Sequence, residues 1–256
     1  MEQLGHILEW HTAESGEAPD LKPNELHLWK FDLALNRSES ELALQFLNDI
    51  QRDKYHRRST PQLKESYLAG RFHLMQLLAA YGGTTADETK LSYSRLNKPC
   101  LAPNLKNLEF NYSDTCADQN AIGLFAVTHK NAVGIDIEAR SRQSDFMAIA
   151  RKRFSDEEIG YVTNSQGQID AQRFLCIWTR KEAYGKATGK GINFKMRNMN
   201  LASSGAFELD FLADQDGRHP FRLQQFHVGE RYIAALVHQG HQPLCIKAFK
   251  SANHIP

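Results

Sequence analysis

The chain has few of the features that would settle its class by themselves. Its four cysteines, Cys100, Cys116, Cys176 and Cys245, are scattered and never fall into a C-x-x-C spacing. That excludes a disulfide framework and a thiolate zinc site, and fits reduced thiols in a cytoplasmic protein. The 11 histidines include no H-E-x-x-H or comparable metal spacing. Charge of one sign is missing too: 31 basic residues stand against 30 acidic ones. No global field therefore draws the chain to nucleic acid or an anionic membrane, and recognition has to come from local clusters. The longest apolar run, Ala121 to Val127, is far short of the roughly 18 residues that span a bilayer. The opening MEQLGHILEW lacks the basic flank and apolar stretch of a signal peptide. No low-complexity linker or solenoid-length repeat divides the chain.

With 41% hydrophobic residues over 256 positions, the chain can bury one large core or two modest ones. Helices are expected over Glu39 to Ile50 and Gln62 to Tyr81, then strands near Leu91, Leu108 and Gly123. A second series begins with a strand at Ala132. It continues through helices near Phe146, Asp156 and Phe174, and strands near Phe207, Phe221, Ile233 and Ile246. The turn from His129 to Gly134 is the best seam, giving an expected division into residues 1–130 and 131–256. Composition and order by themselves give an α+β fold.

Two stretches carry the chemistry. In AVGIDIEAR, Val133, Ile135 and Ile137 mark a covered strand on which Asp136 and Glu138 share one face, Cα atoms about 7 Å apart. On the helix that runs into WTRKEAYGKATGKGI, Phe174, Ile177 and Trp178 form an apolar stripe, and Glu182 and Lys186 stand one turn apart. Solvated strand acids and an i,i+4 helix pair worth about 0.3–0.5 kcal/mol are the plain alternatives. The apolar flanks of the acids weigh against the first. Carboxylates converging from a strand and a helix would repel each other in an interior, and an oxygen-ligated divalent cation such as Mg²⁺ removes that repulsion.

Other candidates divide between structure and function. Ser155 and Glu158 in FSDEE read as a capping box. GKATGKG fails as a phosphate loop, because three residues rather than four separate Gly185 from Gly189 and Gly191 replaces Ser or Thr. It reads better as a Gly-terminated helix end bearing Lys186 and Lys190. QRDKYHRR, Gln51 to Arg58, reads as a solvated helix end and loop, and Trp178 and Phe174 as core.

Five stretches, in order, resemble the 4′-phosphopantetheinyl transferases of the surfactin-synthetase-activating (Sfp) type. They are NKPCL around Lys98, FNYSDT from Phe110, GIDIE from Gly134, FSDEE from Phe154 and WTRKEAYGKATGKGI from Trp178. The resemblance implies two pseudo-twofold-related α+β lobes with the active site in the cleft between them. It implies transfer of phosphopantetheine from coenzyme A to a serine of an apo acyl or peptidyl carrier protein, by a monomer sufficient in itself. Asp136, Glu138 and Glu182 would hold Mg²⁺; Glu158 or Glu182 would be the general base. Lys54, Arg57, Arg71, Lys98, Ser113 and Lys186 would contact coenzyme A. One departure stands out: the family has His after the Ser of its FN-x-SHS motif, and here Asp114 follows Ser113. A carboxylate facing a phosphate is unfavourable unless a cation lies between them. The basic stretch Arg140 to Arg153 is the expected contact for an acidic carrier. A Mg²⁺-dependent phosphodiesterase or nuclease, and a non-catalytic coenzyme A or carrier-binding relative, are the other readings of the same acids.

Overall fold

The computed structural model describes residues 6–13, 18–89, 91–93, 99–101, 107–117, 120–191, 196–202, 208–213 and 220–251. The strands are β1 (His6–Ile7), β2 (His11–Ala13), β3 (Glu25–Asp32), β4 (Leu91–Tyr93), β5 (Pro99–Leu101), β6 (Leu108–Ala117) and β7 (Asn120–His129), then β8 (Val133–Ala139), β9 (Glu208–Ala213), β10 (Pro220–Val228), β11 (Tyr232–Gln239) and β12 (Cys245–Ser251). The helices are α1 (Arg37–Phe46), α2 (Asp49–His56), α3 (Pro61–Gly82), α4 (Phe146–Arg153), α5 (Asp156–Val162) and α6 (Ala171–Ala187). One five-stranded sheet runs β2-β12-β3-β7-β6; the other runs β1-β10-β11-β8, with β9 also on β10. The fold is α+β, as expected.

Strand alternation sorts the layers. Leu26 and Leu28 of β3, Leu124 and Ala126 of β7, Ile135 and Ile137 of β8, and Ala234 and Leu236 of β11 meet in one apolar cluster that unites the two sheets. The opposite face of the first sheet, with Trp29, Phe31, Phe125 and Val127, packs under Leu74, Leu77 and Leu78 of α3. The opposite face of the second carries α6: Ala183, Tyr184 and Ala187 lie on Ala235 and Val237. Because Ile135 and Ile137 point to the inter-sheet core, Asp136 and Glu138 point the other way, toward α6.

Both β6 and β8 are sheet edges, and they lie against each other. Side chains replace the missing ladder: Asn111 Oδ1 accepts from Ile135 N (2.9 Å) and Thr115 Oγ1 from Ala139 N (3.2 Å). The motif FNYSDT thus places Asn111, Ser113 and Thr115 on the β8 side, leaving Tyr112 and Asp114 on the α3 side. Gly134 is required by close packing: a Cβ there would lie 2.1 Å from Ala183 O and 2.4 Å from Ala187 N.

Two expectations need correction. The helix expected over Glu39 to Ile50 is two helices, because Leu47 adopts an extended conformation and Asn48 then caps α2. Of QRDKYHRR, expected as a helix end and loop, Gln51 to His56 are the end of α2 and Arg57 and Arg58 follow it. The seam does fall between β7 and β8, but the division at residue 130 is crossed twice. β12 lies between β2 and β3 in the first sheet, and β1 pairs with β10 in the second. The sequence pattern also missed β3, whose Glu25, His27 and Lys30 interrupt its apolar positions.

Candidate active site

The face of α6 that meets β8 presents Trp178, Glu182 and Lys186 at successive turns. Trp178 Nε1 donates to Glu138 Oε1 at 2.9 Å. Arg142 pairs with the same oxygen, and its guanidinium lies 5.5 Å over the Trp178 ring. Lys186 Nζ donates to Asp136 Oδ1 (2.8 Å), Ser113 Oγ (2.8 Å) and the Ile135 carbonyl (3.0 Å), which uses all its donors. Ser113 Oγ itself donates to Asp136 Oδ1 at 3.0 Å. The other Asp136 oxygen, Oδ2, is buried with no hydrogen-bond partner among the described residues.

This geometry makes negative charge unfavourable. Burial, and then the Asp136 charge, push the Glu138 carboxyl up to about 7 against the pull of Arg142, Trp178 and Lys186. Burial and Asp136 also raise Glu182, which Lys186, Arg153 and Arg142 partly offset. Three oxygen-donor side chains thus crowd one another electrostatically, and one buried carboxylate oxygen lacks a donor. That chemistry fits a hard divalent cation. The expected gathering of the three around a single point is not present, however: among the described residues no three acidic, histidine or cysteine side chains are placed to hold one metal ion. Glu138 is turned toward Arg142 and Trp178 and Asp136 toward Lys186, the nearest positive or N–H groups that offset their charge.

Beside this stripe opens a cleft of about 440 Å³ lined from both halves of the chain. Lys54, Arg58, Arg71 and Lys186 give it positive charge; Tyr67, Tyr93 and Tyr112 give it ring faces; Gly185, Gly189 and Gly191 form its floor at the α6 terminus. The guanidinium of Arg71 lies 5.6 Å over Tyr67 and 5.4 Å over Tyr112. Its Nε is buried and has no hydrogen-bond acceptor among the described residues. Four cations with aromatic rings between them suit a ligand that carries both phosphates and a planar base.

Residues 132–237 match the 4′-phosphopantetheinyl transferase superfamily. Over 184 residues the chain is 30% identical to 4′-phosphopantetheinyl transferase HetI of Nostoc sp., covering 71% of this chain and 76% of that protein. It is 27% identical over 232 residues to a phosphopantetheinyl transferase of Thraustochytrium sp., covering 84% of this chain and 73% of the relative. It is also 25% identical over 174 residues to the mouse L-aminoadipate-semialdehyde dehydrogenase-phosphopantetheinyl transferase, with 65% and 56% covered. The chain belongs to the 4′-phosphopantetheinyl transferase superfamily.

Within this phosphopantetheinyl transferase, the residues singled out from sequence are not all in one place. Asp136, Glu138, Glu182, Lys186 and Ser113 belong to the α6–β8 stripe, and Lys54, Arg71 and Lys186 line the cleft. Arg57 does not line it: its side chain is exposed and paired with Asp53 at 3.1 Å, while the next residue, Arg58, enters the cleft. α2 ends at His56 with Arg57 as its C-cap, and the chain leaving the helix carries Arg58 into the cleft. Lys98 lies outside the described residues.

Glu158 is a correction. Its side chain has no solvent exposure, and Oε2 takes Lys181 Nζ at 2.7 Å and the Ser155 amide at 2.8 Å. Oε1 takes the Leu201 amide at 2.7 Å. A carboxylate so enclosed and so fully used has no access to a substrate hydroxyl, and the capping-box reading is the one its geometry supports. Lys181, which sequence reasoning passed over, is its partner and also donates to the Met199 carbonyl at 2.6 Å. Trp178 is likewise more than core, since it fixes Glu138. Asp114 is exposed on the α3 side of β6. Local desolvation raises its carboxyl, while Arg71, Lys186 and Arg58 draw it down. The cations of the cleft therefore stand beside the residue that replaces the family His.

Proposed function

We propose that this enzyme, acting as an Sfp-type transferase, moves 4′-phosphopantetheine from coenzyme A to a serine of an apo carrier protein and releases adenosine 3′,5′-bisphosphate. The observation that carries the reading is the junction at Lys186, which lines the cationic cleft and also bonds the acid stripe. A pyrophosphate held there would have its nucleotide end among Lys54, Arg58 and Arg71 and its reacting phosphorus next to the acids. The two sheets, each with its outer helix, are the two proposed lobes.

In the reaction the serine oxygen bonds to the β-phosphorus as the bond from that phosphorus to the bridging oxygen breaks. The bridging oxygen leaves on the bisphosphate. Glu182 takes the serine proton, directly or through water. Lys186 turns from Asp136 to the phosphate oxygens and meets the charge that develops on them. Asp136, Glu138 and Glu182 would hold Mg²⁺, which supplies charge neutralisation and orientation of the pyrophosphate. Trp178 and Arg142 keep Glu138 in place until then.

Incubating the purified protein with coenzyme A, Mg²⁺ and an apo carrier should add one phosphopantetheine to the carrier by mass spectrometry. Asp136→Ala should slow this by orders of magnitude with the fold intact, and loading at the wild-type rate would remove Asp136 from the mechanism. The carrier would dock on the basic last turn of α4, where Arg151 and Lys152 are exposed and the charge of Arg153 reaches Glu182. Reversing Arg151 to Glu should raise the carrier KM severalfold and leave coenzyme A affinity unchanged; an unaltered carrier KM would move the docking site elsewhere.

A further inference from the structure

We infer that Gln51 is a positioning residue of the cleft, holding the Tyr93 ring against Lys54 so that this wall is set before the donor arrives. The inference rests on reading the cleft as the coenzyme A site.

The argument starts at the cap of α2. Asn48 and Gln51 form a capping box: Asn48 Oδ1 accepts from Gln51 N at 2.9 Å, and Gln51 Oε1 accepts from Asn48 N at 3.0 Å. Residues at the third position of a helix usually leave the rest of the side chain in water. Gln51 is instead only 4% exposed. With Oε1 committed to the cap, Nε2 has one remaining direction, and it donates to the Tyr93 hydroxyl at 3.0 Å. Glu would serve the cap equally well but has no N–H to give. The Gln51 amide thus serves the cap through Oε1 and reaches the Tyr93 hydroxyl through Nε2.

Tyr93 needs such a tie. It ends β4, which among the described residues pairs with β5 alone, in a ribbon of three residues per strand with Tyr93 opposite Pro99. An isolated ribbon of that size has little stability of its own. Both Tyr93 and Pro99 line the cleft, and Lys54, one turn after Gln51, places its ammonium 5.9 Å from the Tyr93 ring centre. Leu91 and Leu101 pack the ribbon on the cluster under α3, and the Gln51 bond joins its Tyr93 end to α2 beside Lys54. Neither Gln51 nor Tyr93 contacts the acid stripe, so the effect falls on donor binding rather than on bond breaking.

The test measures coenzyme A binding to the full chain by calorimetry, alongside steady-state carrier loading. Tyr93→Phe and Gln51→Met should each weaken coenzyme A binding about fivefold, the value of one neutral hydrogen bond. The double variant should be no weaker than the weaker single one, and kcat at saturating coenzyme A should be retained. Asn48→Ala removes the cap of the same helix without touching the Tyr93 bond. It should lower the melting temperature yet hold the dissociation constant within about twofold of wild type. An unchanged constant in Tyr93→Phe overturns the inference. So does an equal weakening in Asn48→Ala, which would make Gln51 merely a helix cap, or a loss confined to kcat. A wild-type protein that binds coenzyme A with these variant effects but loads no carrier would leave the positioning role standing and sink the transferase reading. One that binds no coenzyme A would overturn both.

Discussion

Glu158 and Glu182 belong to neighbouring motifs and carry the same functional group, yet their surroundings give them different work. Glu182 stands on the partly open stripe beside Lys186, whereas Glu158 is sealed with Lys181. Burial raises the Glu158 carboxyl and lowers the Lys181 ammonium, and each is partly restored by the other. Removing one member leaves the other as an unpaired buried charge. Glu158→Gln is therefore expected to cost on the order of 3–5 kcal/mol in urea unfolding. The protein that remains folded should load its carrier with a kcat within a few fold of wild type. A variant of unchanged stability that had lost turnover would restore Glu158 as the base.

Secondary-structure elements meet at the site through one glycine. Gly134 lets the backbone of α6 press onto β8, and that approach brings Trp178 to Glu138 and Lys186 to Asp136. Gly134→Ala forces a methyl against the main chain of Ala183 and Ala187, which cannot yield as a side-chain tip could. A destabilisation of about 1–3 kcal/mol or more is expected, together with a fall in kcat as α6 is displaced from β8. Thermal unfolding and carrier loading measured on the same sample would check both. A fully stable, fully active Gly134→Ala protein would mean that the helix does not need this approach.

Across the whole molecule, the exchange of end strands ties the two sheets together. β12 returns to the middle of the first sheet and is pinned there by Lys247, whose Nζ lies 2.6 Å from Glu25 Oε1 on β3. That bond, with the His27 contact and the Lys22 amide, pushes the Glu25 carboxyl down to about 2 against the effect of burial. A folded-state pKa below the unfolded one means that the unfolded chain binds the proton more readily. The contribution to stability is then complete above about pH 4.5 and disappears as the pH falls toward 2. Urea midpoints followed across that window should drop faster for wild type than for Glu25→Gln. Parallel curves would show that the pair does not hold β12.

Much of the site was legible along the chain. Alternation in GIDIE placed Asp136 and Glu138 on one face, helical spacing put Glu182 and Lys186 a turn apart, and S-x-x-E announced the α5 cap, because these depend on local backbone geometry alone. What an individual carboxylate does was not legible. Enclosure of Glu158 by Lys181 and Leu201, and the turning of Glu138 toward Arg142, depend on which groups arrive from other elements. The entry of Arg58 rather than Arg57 into the cleft required knowing that α2 ends at His56 and which way the chain leaves it. The placement of β12 beside β3 joins residues from opposite ends of the chain, and such long-range pairing leaves no periodic trace in either segment. Sequence determined the motifs and their local geometry; packing decided which side chains face the cleft, because burial and charge partners are properties of the assembled layers.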